Sequence, residues 1–445
     1  MFKLKYNAIA LYQVLIGLLS SVMMVRVFGV SEQADAYLIA CSIIASLQLI
    51  QIMFVEQFMF FYNDLKVQSC ENARNFYNAA ISISLLTGVL FCIVFFLSTT
   101  PLIKLFAFGI DGERFLLLKN ILQILFVGTV LDSANVINQR LLNAEMSFSS
   151  PAIINSFQTL FTVLLLGYLL MTNTSSIQLL AWSRIIGSAV TCLAGFLFVR
   201  RMGFPFRFSL RHPALKPFMK NSIAMRFGHN LHNFLFNPIT SNILSNLPSG
   251  YASYFYYAQR IQQIVGNVVV GPGYAVYQSR ISALWSQENF TEIKRTIRKY
   301  LPVITLAFIG ASLVMYYIIP PALHLVGSNR LSAHDAAYIQ LIFLALSLWQ
   351  LVVLVESPFV AVGVASKKSG IFIITNAMFI ATYFVASLCL AKPAGVYCIP
   401  FGAAIGQIIN MLFYTSFCMA LLKIDRFSRI TNILTGNCLF RKALE

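Results

Sequence analysis

The stretch YYAQRIQQIVGNVVVG, residues 256–271, sets an arginine inside a run that is otherwise suited to hydrocarbon. Burying an arginine at the centre of a membrane helix costs at least ~2.5–3.5 kcal/mol on insertion scales, so such a residue marks a functional or paired site. Tyr256, Arg260, Gln263 and Asn267 follow one another at i, i+4, i+7 and i+11, which places them on one helical face. Counted from Tyr251 at ~1.5 Å per residue, Arg260 sits about 14 Å into the span, close to the middle of a ~30 Å core. The pattern is a spanning helix with one wet stripe. Gly266, Gly271, Pro272 and Gly273 follow directly and are expected to bend the helix, either as a hinge or as a fixed packing kink.

The rest of the chain agrees with that reading. Of 445 residues, 58% are hydrophobic and 11% charged, and the mean hydropathy is +0.76. A soluble domain carries roughly 25% charged residues. Apolar runs of about 20 residues recur from end to end and are continuous rather than alternating, which selects a polytopic all-α membrane protein over a β-barrel. Twelve spans are expected at 8–28, 36–61, 76–98, 115–139, 151–171, 177–199, 219–245, 251–279, 300–319, 336–362, 370–391 and 396–422. Lys3 and Lys5 precede the first, and no small-residue cleavage site follows it, so it reads as a retained helix. With the N-terminus cytoplasmic, 23 of the 32 Lys and Arg fall on the cytoplasmic side, six outside and three within spans. Both termini are therefore expected inside. The net charge of +17 is a topology signal and an attraction to anionic headgroups. It does not mark a nucleic-acid binder, since no basic soluble domain is present. The eight cysteines are scattered without a CxxC pair and read as small apolar packing residues.

The longest polar connection, RRMGFPFRFSLRHPALKPFMK at 200–220, divides the chain near its middle. The expected organisation is an N-terminal six-helix lobe (1–199), a basic cytoplasmic linker (200–218), a C-terminal six-helix lobe (219–423) and a basic cytoplasmic tail (424–445). PAIINSFQTLF at 151–161 resembles GIFIITNAMFI at 370–380, pairing Asn155 with Asn376. DAYLIA at 35–40 resembles ASYFYYA at 252–258, pairing Tyr37 with Tyr254. The similar offsets suggest a duplicated unit with parallel orientation, an arrangement in which the substrate site lies between the halves, around a central cavity.

Other spans carry polar stripes: Arg226, Asn230, Asn233 and Asn237 in the seventh, with His229 adjacent; Gln48, Gln51 and Glu56 in the second; Asp132, Asn135 and Gln139 in the fourth; Glu356 in the tenth. In-membrane polar groups face a cavity or another helix. Three readings of Arg260 stand side by side: an anion-binding residue, a structural partner of Glu56, Asp132 or Glu356, or a snorkelling side chain. Glu56, Asp132 and Glu356 are candidate proton or cation sites.

VRVFGVSEQADAYLIA at 25–40 resembles the opening motif of the MurJ/MviN-type lipid II flippases, with Arg26, Gly29, Asp35, Ala36 and Tyr37 in matching positions. FVEQFMFFY at 54–62 is similar to the acidic patch of that family, with Glu56 at the acidic position. YYAQRIQQIVG at 256–266 is similar to its eighth-helix Tyr-Tyr-Ala-x-Arg segment. NAEMSFSSPAIIN and FVAVGVASKKSGIFIITN resemble its paired segments around helices 4–5 and 10–11. The resemblance implies a transporter of the multidrug/oligosaccharidyl-lipid/polysaccharide (MOP) exporter superfamily. It implies two six-helix lobes, a cationic central cavity and outward movement of an undecaprenyl-pyrophosphate-linked glycan in the bacterial cytoplasmic (inner) membrane. Arg260, Arg26, Asp35, Glu56, Gln263, Asn267, Arg226, Asn230 and Asn233 are then the candidate substrate-binding residues. The family's extra cavity arginines are replaced here by GLLSS at 17–21 and the glutamines of LQLIQIM at 47–53, and its two further C-terminal helices are not expected. O-antigen or capsule oligosaccharide flipping and cation-coupled multidrug antiport are the alternative transport readings. An enzyme is not expected, because the outer loops are short and hold no clustered carboxylates or His/Glu metal pattern. No cofactor is expected. Na+, H+ or the membrane potential are the candidate energy sources, and the partners are a lipid-linked oligosaccharide and membrane lipids.

Overall fold

The first helix ends where the sequence requires it. Gly29 adopts φ +58°, a left-handed conformation open to glycine, and its N–H closes onto Val25 O at 2.8 Å. Ser31 then starts the next helix, its hydroxyl accepting from the Ala34 N–H at 3.3 Å. In this computed structural model, residues 2–53, 57–145, 149–269, 287–327, 331–366 and 370–422 are described, with scattered positions between 274 and 285; side chains at 223–234 are not. The described helices are α1 (Phe2–Phe28), α2 (Glu32–Met53), α3 (Phe58–Gln68), α4 (Cys70–Leu97), α5 (Thr99–Phe106), α6 (Gly112–Ala144), α7 (Ser149–Met171), α8 (Ile177–Arg201), α9 (Leu215–Ser245), α10 (Tyr251–Val269), α11 (Phe290–Gly327), α12 (Ala333–Ala365), α13 (Gly370–Ala394) and α14 (Cys398–Leu421). No strand occurs among the described residues.

The protein is an all-helical, multi-pass membrane protein. Among the described residues, eight stretches are long and apolar enough to cross a membrane, and the last of these, Ile373–Leu421, takes in most of α13 and all of α14. The remaining expected spans fall on α1, α9 and α10, helices of 27, 31 and 19 residues. Large apolar side chains are exposed along α4, α7, α8, α11, α13 and α14, among them Leu97, Leu164, Leu193, Leu306, Leu313, Leu388 and Leu412. In water such a surface would drive association; against lipid tails it is the expected exterior.

Since lipid is as apolar as leucine, helices associate through close packing of small residues and hydrogen bonds rather than through burial alone. Gly88 on α4 lies against Ser133 on α6, and Ser84 and Ser133 each donate to the other's carbonyl at 2.8 and 3.1 Å. Gly187 on α8 meets the backbone of Gln158 on α7, and Gly402 and Gly406 on α14 meet α13 at Ser387 and Phe379.

The chain forms two compact units. The first takes residues up to Phe227 with Asn233–Ser253 and Val326–Leu331; the second takes Gly228–His232, Tyr254–Leu325 and Ser332 onward. The connection after α8 is packed into the first unit. Phe204 contacts Tyr62 and Tyr77, Arg207 N donates to Asn78 Oδ1 at 2.9 Å, Ser209 N to Ser82 Oγ at 3.1 Å, and the His212 ring lies against Phe76. Beside it, Glu145 accepts from Lys66 at 2.6 Å and Tyr62 at 2.5 Å. Burial alone would raise the Glu145 pKa, but these two donors and the Lys66 charge together hold it below the usual carboxylate range.

Candidate functional site

In the first unit, α2, α6, α7 and α8 turn polar rows towards one another around a cavity of about 200 Å³. Gln48 and Gln51 come from α2, Asp132, Asn135 and Gln139 from α6, Asn155 and Gln158 from α7, and Arg184 and Thr191 from α8. The spacing explains the convergence: Gln48/Gln51, Asp132/Asn135/Gln139 and Asn155/Gln158 recur at three or four residues, so each set shares a helix face. Gln48 Nε2 donates to Asp132 Oδ2 at 2.7 Å, and Gln158 Nε2 donates to Ser188 Oγ at 2.8 Å. Gln139 and Asn155 form a reciprocal amide pair at 2.6 and 3.2 Å. Arg184 and Asp132 interact electrostatically, and Arg184 Nη1 also reaches Cys41 Sγ at 3.0 Å. The two charges offset each other, so the cavity is polar without a strong net sign.

The second unit holds a cavity of about 480 Å³ whose lining includes Tyr274, Gln350, Glu356, Asn376, Gln407 and Asn410. Glu356 is only 3% exposed. Gln407 Nε2 donates to its Oε2, and Asn410 Nδ2 donates to its Oε1 at 2.9 Å. Among the described residues no basic group pairs with it. Asn155 and Asn376, matched in the internal repeat, each line the cavity of their own unit.

The expected site residues separate into groups. Asp132 and Glu356 each line a cavity. Arg260 is half-buried on α10, with no ion pair among the described residues, and Gln263 on the same helix is exposed. Arg26 is exposed near the end of α1. Asp35 is 1% exposed, and its oxygens accept from Gly250 N at 2.6 Å, Ser253 N at 2.7 Å and Ser253 Oγ at 2.5 Å, with Arg114 at 3.6 Å. Its carboxylate therefore caps the first turn of α10, where the aligned peptide dipoles favour a negative charge. The side chains of Arg226, Asn230, Asn233 and Asn267, residue Glu56 and the kink at Gly271–Gly273 lie outside the described residues. Sequence reasoning passed over Gln158, Thr191, Gln407 and Asn410. The i, i+3 pairs Asn155/Gln158 and Gln407/Asn410 were the signal that could have found three of them. No group of three His, Cys, Asp or Glu able to hold a metal ion occurs among the described residues.

The helical fold matches solved structures of membrane proteins. One solved structure, an inward closed conformation of lipid II flippase MurJ, matches with a TM-score of 0.77 at 18% identity, covering 92% of this chain and 86% of that one. An inward-facing multidrug resistance MATE family transporter matches with 0.74 at 14% identity, covering 93% and 96%. The family model described as lipid II flippase MurJ matches residues 24–435, and the chain belongs to that family. A relative from Buchnera aphidicola subsp. Acyrthosiphon pisum (strain APS), named probable lipid II flippase MurJ, is 24% identical over 327 residues. That match takes in 69% of this chain and 62% of the relative's length.

Proposed function

We propose that this chain moves an undecaprenyl-pyrophosphate-linked glycan of the lipid II type from the inner to the outer leaflet of the bacterial cytoplasmic membrane, by alternating access and without catalysis. Family membership over residues 24–435 is the observation that carries the reading. The twelve expected spans, with both termini cytoplasmic, are part of it. Arg260 is the group assigned to the pyrophosphate: its planar fork offers bidentate donors and stays charged at any working pH. For energy coupling, Glu356 fits better than Asp132. Asp132 has Arg184 to offset its charge, whereas the partners of Glu356 among the described residues are neutral amides, so a proton or Na+ is the natural counter-charge. Lipid-linked O-antigen or capsule oligosaccharides share the pyrophosphate and are the neighbouring substrate class.

The test is outward movement of a lipid-linked glycan in cells producing Arg260→Ala or Arg260→Lys at wild-type level. Loss of movement in Ala with partial retention in Lys is expected. Normal movement in both would remove Arg260 from the mechanism. A wild type that exports cationic drugs but moves no lipid-linked glycan would overturn the flippase reading.

A further inference from the structure

We propose that the 200 Å³ cavity of the first unit is a subsite for one neutral, hydroxyl-rich sugar ring of the transported headgroup; this rests on the flippase reading above. Three of the residues that line it carry a buried polar atom with no hydrogen-bond partner among the described residues: Gln51 Nε2, Asn135 Oδ1 and Thr191 Oγ1. Their residues are 7%, 5% and 3% exposed. Leaving such groups unpartnered is costly, so a cavity beside three of them is suited to a ligand that satisfies them. They comprise a donor, an acceptor and a hydroxyl that can do either. A ring hydroxyl is likewise both donor and acceptor, and neighbouring ring hydroxyls match such a mixed set.

The other chemistries fit less well. An anion would meet the Asp132 charge, which offsets that of Arg184, and Arg184 Nη1 is already bonded to Cys41 Sγ. A cation would meet Arg184. A flat aromatic compound would find no aromatic ring among the described lining residues, of which Val136 is the one aliphatic. The rim supplies an opening element: Asn155 is exposed and is held by Gln139 through two amide hydrogen bonds that a ligand can exchange.

The experiment measures binding of two probes to the purified full-length chain in nanodiscs: undecaprenyl pyrophosphate, and the same lipid carrying a GlcNAc-containing disaccharide. Gln51→Leu and Thr191→Val are compared with wild type, with thermal melting of the ligand-free proteins alongside. Because each substitution removes an unpartnered buried polar atom, the ligand-free variants are expected to melt at or above wild type. The expected result is tighter wild-type binding of the glycosylated probe, and a loss of roughly 2- to 10-fold for that probe alone in each variant. Equal wild-type affinity for both probes, or variants that bind the glycosylated probe as wild type does, would overturn the sugar subsite and leave the flippase reading standing. Failure of wild type to bind either probe would overturn both. A variant that melts lower and loses both probes equally would make the cavity a packing feature and also overturn the subsite.

Discussion

Replacing Asp35 by alanine should loosen the start of α10 more than any other single polar substitution in the first unit. The carboxylate accepts two backbone N–H groups and one hydroxyl at 2.5–2.7 Å, is 1% exposed, and offsets Arg114 at 3.6 Å. An N-cap contributes about 0.5–2 kcal/mol. Removing one partner of a buried charged pair costs about 3–5 kcal/mol when the other charge is equally enclosed. Arg114 is partly exposed and can be hydrated, which discounts that figure. Asp35→Ala is therefore expected to lose about 3 kcal/mol, and Asp35→Asn about 1–2 kcal/mol, because its carbonyl oxygen still accepts while its amide faces donors. Arg114→Ala should lose less than either. The assay is hydrogen exchange of the Gly250 and Ser253 amides in detergent, with thermal melting of the whole chain. A local loss of about 3 kcal/mol should speed exchange there by roughly 10²-fold if these amides exchange by local opening. Unchanged exchange at Gly250 and Ser253 in Asp35→Ala, or an Arg114→Ala effect larger than that of Asp35→Ala, would refute the assignment of Asp35 as the cap.

Glu356→Ala should destabilise the second unit by about 2 kcal/mol, by stranding the Gln407 and Asn410 amides. The combination Glu356→Leu, Gln407→Leu and Asn410→Leu should recover most of this in melting experiments. A combined variant weaker than Glu356→Ala would show that the network holds more than these bonds. Gly187→Ala pushes a Cβ to 2.9 Å from the Gln158 backbone and should lose about 1–3 kcal/mol, with weakened binding in the adjacent cavity; wild-type melting would contradict the close approach. Burial lowers the His212 pKa below its ordinary value, against a smaller raising effect of its bond to Asn72. The released linker thus binds more protons than the packed one, so this contribution is present above pH ~6.5 and lost as pH falls through the lowered value. Exchange of the amides at 204–214 should rise between pH 7.5 and 5.5 after correction for intrinsic rates, and His212→Gln should flatten that rise. A wild-type linker as protected at 5.5 as at 7.5 would contradict it.

Much of the candidate site was legible because helix periodicity is local. The stripes Gln48/Gln51 and Asp132/Asn135/Gln139 do line a cavity, as in-membrane polar rows require. The chain of inference stopped at partners. Asp35 read as a site residue beside Arg26, yet it closes on Gly250 and Ser253, more than 200 positions away, because the α10 N-terminus leaves amides that need an acceptor. Arg184 is one of the three basic residues within the expected spans, but its electrostatic interaction with Asp132 and its bond to Cys41 depend on how α8 packs against α6 and α2.

By itself the sequence determined that this is an all-helical membrane protein, which faces of several helices are polar, and its family. These follow from composition, a 3.6-residue period and short motifs, all properties of neighbouring residues. Only the tertiary structure decided which polar faces meet, that Glu356 finds amides rather than an arginine, and that Gln51, Asn135 and Thr191 are left unpartnered around a cavity. Contact between helices is set by close packing at Gly88, Gly187 and Gly402, and that geometry is not encoded in any one segment.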